Sequence, residues 1–343
     1  MLIAGDTGGT KTELAIFSNE GGPHSPLAQV KVHSADYPSL EVIVKEFLAK
    51  VDKPVDRACF AVPGPVIGGR VKTTNLPWTI EDKSLAQELN LNLKSVHLIN
   101  DLEAIARAVP ILRPSDVITI NSGEAVPRGA IAVIAPGTGL GESFLTWDGS
   151  RYLAHSSEGG HADFAPTDQR QIGLLEYLFK KFDHVSFEHV CSGIGIPLIY
   201  GYLRDVERIP ERTEVAQLMA AAGDPSFVII NHALGPSDVS QLCAETVDLF
   251  VSILASEAGN LAVKVLATGG VYVAGGVVVH TLAALQRPGF MESFKRKGRF
   301  AELMSRIPIH AVVSQAALAG AAAYGLETGT EHFESQLVTQ RHA

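Results

Sequence analysis

With 343 residues, the chain is long enough for two domains, and its net charge of −9 argues against unspecific binding to nucleic acid or to anionic membranes. Its 46% hydrophobic and 19% charged residues are typical of a globular protein. Its most apolar region, residues 261–285, is interrupted by glycine pairs and by Lys264, which argues against a membrane-spanning helix. Because the three cysteines are widely spaced, we predict buried thiols in a cytoplasmic protein rather than disulfides or a zinc site.

A glycine-rich turn joins two predicted strands at the start of the chain. The turn combines a carboxylate, two glycines and two hydroxyl groups: Asp6, Thr7, Gly8, Gly9 and Thr10. Because glycine can adopt positive φ and has no side chain, successive N–H groups in such a turn can converge on an anion. The pattern differs from the Walker motif, which leads into a helix. We therefore predict a phosphate-binding turn of another type, with Asp6 able to hold Mg²⁺ through water.

The same arrangement recurs in residues 131–145, where an apolar strand runs into Gly137, Thr138 and Gly139 and then into a second strand. Either hairpin alone is compatible with an ordinary tight turn. Together they indicate two related halves that each offer a glycine turn to a polyphosphate. A third glycine turn, Gly275 and Gly276, follows a buried strand and is predicted to lie near the nucleoside.

Polar residues follow the predicted strand at 95–99, where Asn100 and Asp101 lead directly into an amphipathic helix. Open α/β sheets bind their ligands at the carboxyl ends of strands. Phosphoryl transfer needs a base close to the attacking hydroxyl group, and Asp101 is the candidate. The alternative is that Asp101 only caps the helix.

A second polar stretch, residues 156–166, contains Glu158 and His161. An ionised carboxylate can accept from two neighbouring hydroxyl groups and a histidine can donate or accept, so both side chains suit a polyhydroxyl ligand. A metal site formed by His161 with Asp163, or a simple surface turn, are the alternatives. Further along, Ser186 is a predicted helix N-cap that would place Glu188 in the first helical turn.

The alternation of strands and helices predicts two α/β domains. The first covers residues 1–112 and is completed by a helix at about 315–326, and the second covers residues 113–314. Residues 327–343 are predicted to form a polar tail.

These motifs occur in the order seen in the bacterial glucokinase family, which the chain resembles from residue 2 to about 325. The matching segments are residues 5–10, 99–104, 136–141, 158–166, 186–193 and 273–276. The resemblance implies a two-domain α/β fold of the actin-like, hexokinase-like ATPase superfamily, with an active-site cleft between the domains. It also implies a homodimer that works in the cytoplasm without nucleic-acid or membrane partners.

By this resemblance the chain phosphorylates glucose to glucose 6-phosphate with ATP and Mg²⁺. Asp101 is similar to the general base that takes the proton of the 6-hydroxyl group, and Asn100, Glu158, His161 and Glu188 are similar to the other glucose ligands. No cysteine-rich motif of the other large group of bacterial sugar kinases follows His161, so no zinc is expected. The alternatives are a kinase for mannose, fructose or an amino sugar, and a sugar-sensing protein without catalysis.

Overall fold

The computed structural model describes residues 1–73, 76–236 and 239–340, with residues 329–340 as backbone alone. The strands are β1 (Leu2–Thr7), β2 (Lys11–Phe17), β3 (Ala28–His33), β4 (Arg57–Val62), β5 (Arg70–Lys72), β6 (Thr79–Glu81), β7 (Val96–Asn100), β8 (Val117–Asn121), β9 (Ile131–Pro136), β10 (Leu140–Trp147), β11 (Tyr152–Ser157), β12 (Gly270–Val273) and β13 (Ile309–Val312). The helices are α1 (Leu40–Val51), α2 (Asp82–Leu89), α3 (Asp101–Ala108), α4 (Gln169–Leu178), α5 (Gly195–Asp205), α6 (Thr213–Ala221), α7 (Pro225–Leu234), α8 (Gln241–Val265), α9 (Gly276–Leu285), α10 (Pro288–Phe294), α11 (Ala301–Arg306) and α12 (Ala316–Gln340).

The chain forms two compact units. Unit 1 contains residues 1–112 and the C-terminal segment from Gln315, and unit 2 contains residues 113–314. Each unit is built on one larger sheet. The strand order is β3-β2-β1-β4-β7 in unit 1 and β11-β10-β9-β12-β13-β8 in unit 2. In both sheets an antiparallel three-stranded meander is followed by two parallel strands, so the repeat of the glycine turn in the sequence is matched by a repeat of topology.

The sheet of unit 1 is covered on both faces, as its apolar strands require. Helices α1 and α2 contribute Leu40, Phe47 and Leu85 to the core on one face. On the other face α3 and α12 pack with small residues such as Ala104 and Ala321. This layer holds the start of α3, and therefore Asp101, at the carboxyl end of β7.

The contact between α3 and α12 is very close. A Cβ atom added to Gly320 of α12 would lie 1.7 Å from the carbonyl oxygen of Ala104 in α3. The alanine-rich sequence around Gly320 is thus explained by close packing of the two backbones.

Unit 2 has its core around α8, which packs against α5, α7 and α10. By length and composition α8 is the one helix among the described residues that could cross a membrane. However, 78% of its most apolar window is buried inside the protein, as in the core helix of a globular protein. The thiols of Cys59, Cys191 and Cys243 are free and buried, as predicted.

Some element boundaries differ from the predictions. Helix α12 continues to Gln340, so the residues predicted to form a polar tail are helical up to that point, and residues 341–343 lie outside the described part. Helices α5, α6 and α7 and strands β8 and β11 were not predicted. Their patterns of buried residues depend on α8 and on neighbouring strands, which a local reading of the sequence does not include.

Candidate active site

The first glycine turn connects β1 and β2 in unit 1 and is fixed by hydrogen bonds of its own backbone. The Gly8 N–H donates to the Lys11 carbonyl at 2.9 Å, and the Ser34 hydroxyl donates to the Gly8 carbonyl at 2.8 Å. The hydroxyl oxygen of Thr7 is buried and has no hydrogen-bond partner among the described residues. An unpartnered buried hydroxyl beside an anion-binding turn is suited to a ligand.

Asp6 precedes this turn in a strongly negative environment. Burial and the negative charges of Asp101 and Glu13 together raise the pKa of Asp6 to about 7, against the opposing effect of Lys31. Glu13 lies opposite Asp6 in the β1–β2 register and is itself paired with Lys31 at 3.3 Å. A cation near Asp6 would relieve this repulsion, so the residues present fit a magnesium site.

Asn100 and Asp101 stand where β7 ends and α3 begins. The Asn100 side-chain oxygen accepts from the N–H groups of Leu102 and Glu103 at 2.9 and 3.3 Å, which makes Asn100 the N-cap of α3. The Asn100 amide also donates to the Gly64 carbonyl at 3.1 Å. The Asn100 side chain also hydrogen-bonds the Asp101 carboxyl group, so it links the helix start to the candidate base.

Asp101 is the first residue of α3 and not its cap, so the alternative that it serves as the cap is wrong. Its Oδ1 accepts from the Leu102 N–H at 2.9 Å. Burial raises the pKa of Asp101, while the hydrogen bonds to the backbone and to Asn100 lower it. A carboxyl group with a raised pKa, held rigidly at a helix start, has the properties of a general base.

In unit 2 the second glycine turn is held by two other segments. The Leu140 N–H donates to Oε2 of Glu188 at 2.9 Å, and the Gly193 N–H donates to the Gly137 carbonyl at 2.8 Å. Glu188 therefore supports the turn that precedes β10, a contact that its predicted role as a sugar ligand did not include.

The third glycine turn lies against the second. Gly275 has a φ of 94°, and a Cβ atom there would be 2.5 Å from the Pro136 carbonyl, so only glycine fits this position. By contrast, Cβ atoms on Gly137 and Gly276 would meet no protein atom within 4 Å. The two turns thus expose their backbone to open space, as a phosphate-binding site requires.

Glu158 and His161 are exposed on a loop whose backbone is held by hydrogen bonds and close packing with neighbouring segments. Residues Gly159–His161 form a single 3-10 turn, and the Gly160 carbonyl accepts from the Glu188 N–H at 2.8 Å. A Cβ atom on Gly160 would lie 2.1 Å from the Leu140 carbonyl. The structure thus joins the predicted sugar ligands of unit 2, Glu158, His161 and Glu188, in one hydrogen-bonded group of segments.

Two expectations about this region are not supported. Ser186 does not cap a helix, because residues 187–191 form turns and α5 begins only at Gly195. The alternative metal site at His161 and Asp163 also finds no support, since Asp163 pairs with His184 at 2.9 Å. Among the described residues, no group of three or more histidine, cysteine, aspartate or glutamate side chains could hold a metal.

Glu142, which lies on β10 beneath the loop and is only 1% exposed, was not among the predicted site residues. The available signal was weak: a single carboxylate in an otherwise apolar strand, at a position where alternation alone permits an exposed side chain.

Comparison with known proteins identifies relatives over nearly the whole chain. The family model described as Glucokinase matches residues 3–328. A glucokinase of Nostoc punctiforme is 40% identical over 338 residues, which cover 94% of this chain and 98% of that relative. The crystal structure of a glucokinase from an Antarctic psychrotroph is 30% identical and superimposes with a TM-score of 0.77, covering 94% of this chain and 97% of that chain.

The fold is shared more widely. A glucokinase of Balamuthia mandrillaris, solved in complex with glucose, is 21% identical with a TM-score of 0.76 over 95% of this chain and 93% of that chain, a likeness that shows the fold alone. The predicted actin-like, two-domain α/β ATPase fold is therefore confirmed. With a family match from residue 3 to 328 and 40% identity to a full-length relative, the chain belongs to the glucokinase family, whose activity is the phosphorylation of glucose.

Proposed function

We propose that the chain transfers the γ-phosphoryl group of ATP to the 6-hydroxyl group of glucose, which yields ADP and glucose 6-phosphate. The observation that carries the proposal is the pair of carboxyl groups in unit 1. Asp6 at the end of β1 and Asp101 at the start of α3 are close enough for Asp101 to raise the pKa of Asp6. One carboxylate that suits a metal and one that suits a base, beside a glycine turn, are the parts a phosphoryl transferase needs.

Asp101 acts as the general base in this proposal. It accepts the proton of the 6-hydroxyl group while the sugar oxygen bonds to the γ-phosphorus and the bond to the ADP oxygen breaks. The proton then passes from Asp101 to solvent. Only the ionised carboxylate can accept a proton, and burial raises the pKa of Asp101. As the pH is lowered, activity therefore falls at a higher pH than it would with an ordinary aspartate.

The three glycine turns would contact the nucleotide. Gly8, Gly9 and Thr10 in unit 1 and Gly137, Thr138 and Gly139 in unit 2 offer N–H groups to the phosphates, and Gly275 and Gly276 lie toward the nucleoside. The open space at the Cβ positions of Gly137 and Gly276 supports this placement. Asp6 would hold Mg²⁺ through water together with the buried Thr7 hydroxyl. Bound Mg²⁺ neutralises part of the charge on the transferring phosphoryl group.

We propose that Asn100, Glu158, His161 and Glu188 hold glucose, and that the two compact units are the two domains of the kinase. Asn100 would contact the sugar through its side-chain amide at the carboxyl end of β7. Glu158 and His161 are exposed on the loop, and Glu188 has a second carboxylate oxygen besides the one that binds Leu140. Carboxylates that each accept from sugar hydroxyl groups fit a polyhydroxyl acceptor.

An initial-rate assay with ATP, Mg²⁺ and a panel of hexoses tests this function. We expect ADP and glucose 6-phosphate in equal amounts, with lower kcat/KM for mannose, fructose and amino sugars. A higher kcat/KM for another hexose would replace glucose as the substrate, since specificity depends on a few hydroxyl contacts. ADP release without a phosphosugar, or glucose binding without turnover, would refute the kinase and favour a sugar sensor.

We further propose that the enzyme is a cytoplasmic homodimer, as the family resemblance suggests. Sedimentation equilibrium is expected to give twice the chain mass of 36.5 kDa. A mass near that of one chain, unchanged at the concentration used in the activity assay, would refute the dimer.

A further inference from the structure

Two carboxyl groups lie buried together in unit 2 behind the loop that carries Glu158 and His161. Glu142 of β10 is 1% exposed and Glu257 of α8 is 0% exposed. The two residues are far apart in sequence and meet only in the folded unit. Neither belongs to the predicted site.

The pair has few partners for two potential negative charges. Glu257 accepts from the Asn260 amide at 2.8 Å and faces the Lys264 ammonium at 3.4 Å, and that lysine is 55% exposed. Oε1 of Glu142 has no hydrogen-bond partner in the part of the chain that the structure describes. The other titratable groups that act on the pair are Lys297 and the buried thiol of Cys191.

This environment keeps one proton on the pair at neutral pH. Burial and, to a smaller extent, repulsion by Glu257 together raise the pKa of Glu142 to about 8, against the opposing effect of Lys264. Burial also raises the pKa of Glu257, against the effects of Asn260 and Lys264. A neutral Glu142 removes the repulsion between the two groups and can donate a hydrogen bond to Glu257.

The loop rests directly on Glu142. In the β10–β11 register Glu142 lies opposite Ser157, and the Ser157 hydroxyl accepts from the Gly159 N–H at 3.0 Å. A Cβ atom on Gly159 would be 2.0 Å from Oε2 of Glu142. Gly159 therefore packs directly on Oε2 of Glu142, so a change in the position of this carboxyl group changes the contact that supports the loop.

We propose that Glu142 is a positioning residue whose protonated, neutral carboxyl group supports the loop at 158–161, and that loss of this proton at alkaline pH displaces the loop and weakens glucose binding. An ionised Glu142 beside Glu257 would be a buried charge without a partner, which is strongly unfavourable. Hydration of this charge would disturb the contact between Glu142 and Gly159. The effect on glucose rests on the proposed function, whereas the support of the loop does not.

Calorimetric titration of glucose between pH 7 and 9.5 tests the effect on binding. Above about pH 8 we expect the Kd of the unaltered protein to rise up to tenfold per pH unit, because one proton is linked to binding. Glu142→Gln keeps the size and neutrality of the protonated side chain, so its Kd should match at pH 7 and stay flat. Since this variant retains Lys264, Lys297 and Cys191, a flat profile assigns the effect to Glu142. The control Glu176→Gln, at an exposed carboxylate of α4, should behave like the unaltered protein.

Hydrogen–deuterium exchange tests the support of the loop without sugar. The His161 and Ala162 N–H groups donate to the carbonyls of Glu158 and Gly159 at 3.0 and 2.9 Å. At pH 9 both amides should exchange several-fold faster in the unaltered protein than in Glu142→Gln, and equally at pH 7. A flat glucose Kd together with equal exchange at pH 9 would overturn the proposal. If glucose does not bind at pH 7, the proposed function fails, and the exchange data alone decide the role of Glu142.

Discussion

Replacing Asp101 by asparagine separates the chemistry of this side chain from its structural role. The amide oxygen can still accept from the Leu102 N–H, which Oδ1 of Asp101 binds at 2.9 Å, and Asn100 remains the cap of α3. The variant loses the negative charge of Asp101 and with it the capacity to take a proton. A positioned general base contributes about 10²- to 10⁴-fold to the rate, which corresponds to about 3–5 kcal/mol of transition-state stabilisation. We expect kcat to fall by this factor in a coupled assay, with the glucose Kd changed by no more than about threefold.

A matched control for this variant is Glu103→Gln in the same helix. Glu103 pairs with Arg107 at 2.8 Å on the side of α3, and its replacement should leave kcat within about twofold. The pH profile adds a second criterion. The acid limb of kcat/KM should lie above the ordinary aspartate value of 3.8, because burial raises the pKa of Asp101. Asp101→Asn retaining more than about a tenth of the parental kcat would refute the assignment of Asp101 as base.

Two further predictions concern glycines. Gly320→Ala places a Cβ atom 1.7 Å from the Ala104 carbonyl and should lower the free energy of unfolding by about 1–3 kcal/mol or more in urea titrations, whereas Gly289→Ala, whose Cβ meets nothing within 4 Å, should change it by less than about 1 kcal/mol. Equal effects would contradict the close contact of α3 and α12. Gly137→Ala also meets no protein atom, so it should leave Tm unchanged while raising the KM for ATP several-fold and sparing the glucose Kd. An unaltered ATP KM would exclude this turn from the nucleotide site.

The central strands of both sheets could be predicted from the sequence because each is defined by a short local pattern. Apolar runs on both sides of a glycine turn predict the hairpins β1–β2 and β9–β10, and the structure confirms both. The strand that ends at Asn100 and the helix that follows are likewise confirmed. In each case the residues that define the element are neighbours in sequence, so pattern and propensity act on the same short segment.

Predictions failed where a local signal competed with distant partners. Ser186 followed by a carboxylate has the appearance of a helix start. In the structure Ser186 instead forms a β-bridge with Asp163, and its hydroxyl group contacts the ring nitrogen Nδ1 of His189 at 3.0 Å. Similarly, the sequence left open whether Asp101 caps α3, because the choice between it and Asn100 depends on where the strand ends in space.

The buried carboxyl pair shows why a candidate site is easier to predict than its support. Residues that would contact a ligand, such as Glu158 and His161, stand close together in the chain because one short loop must present them. The proposed role of Glu142 on strand β10 depends on its contact with Glu257 of helix α8. The two residues are far apart in sequence, so no local pattern predicts this contact. The packing of the loop on β10 is nevertheless reflected in the two glycines of the loop sequence. A side chain at Gly160 would collide with the Leu140 backbone carbonyl, and a side chain at Gly159 would displace Oε2 of Glu142. The two glycines between the proposed sugar ligands are thus explained by their close packing on β10.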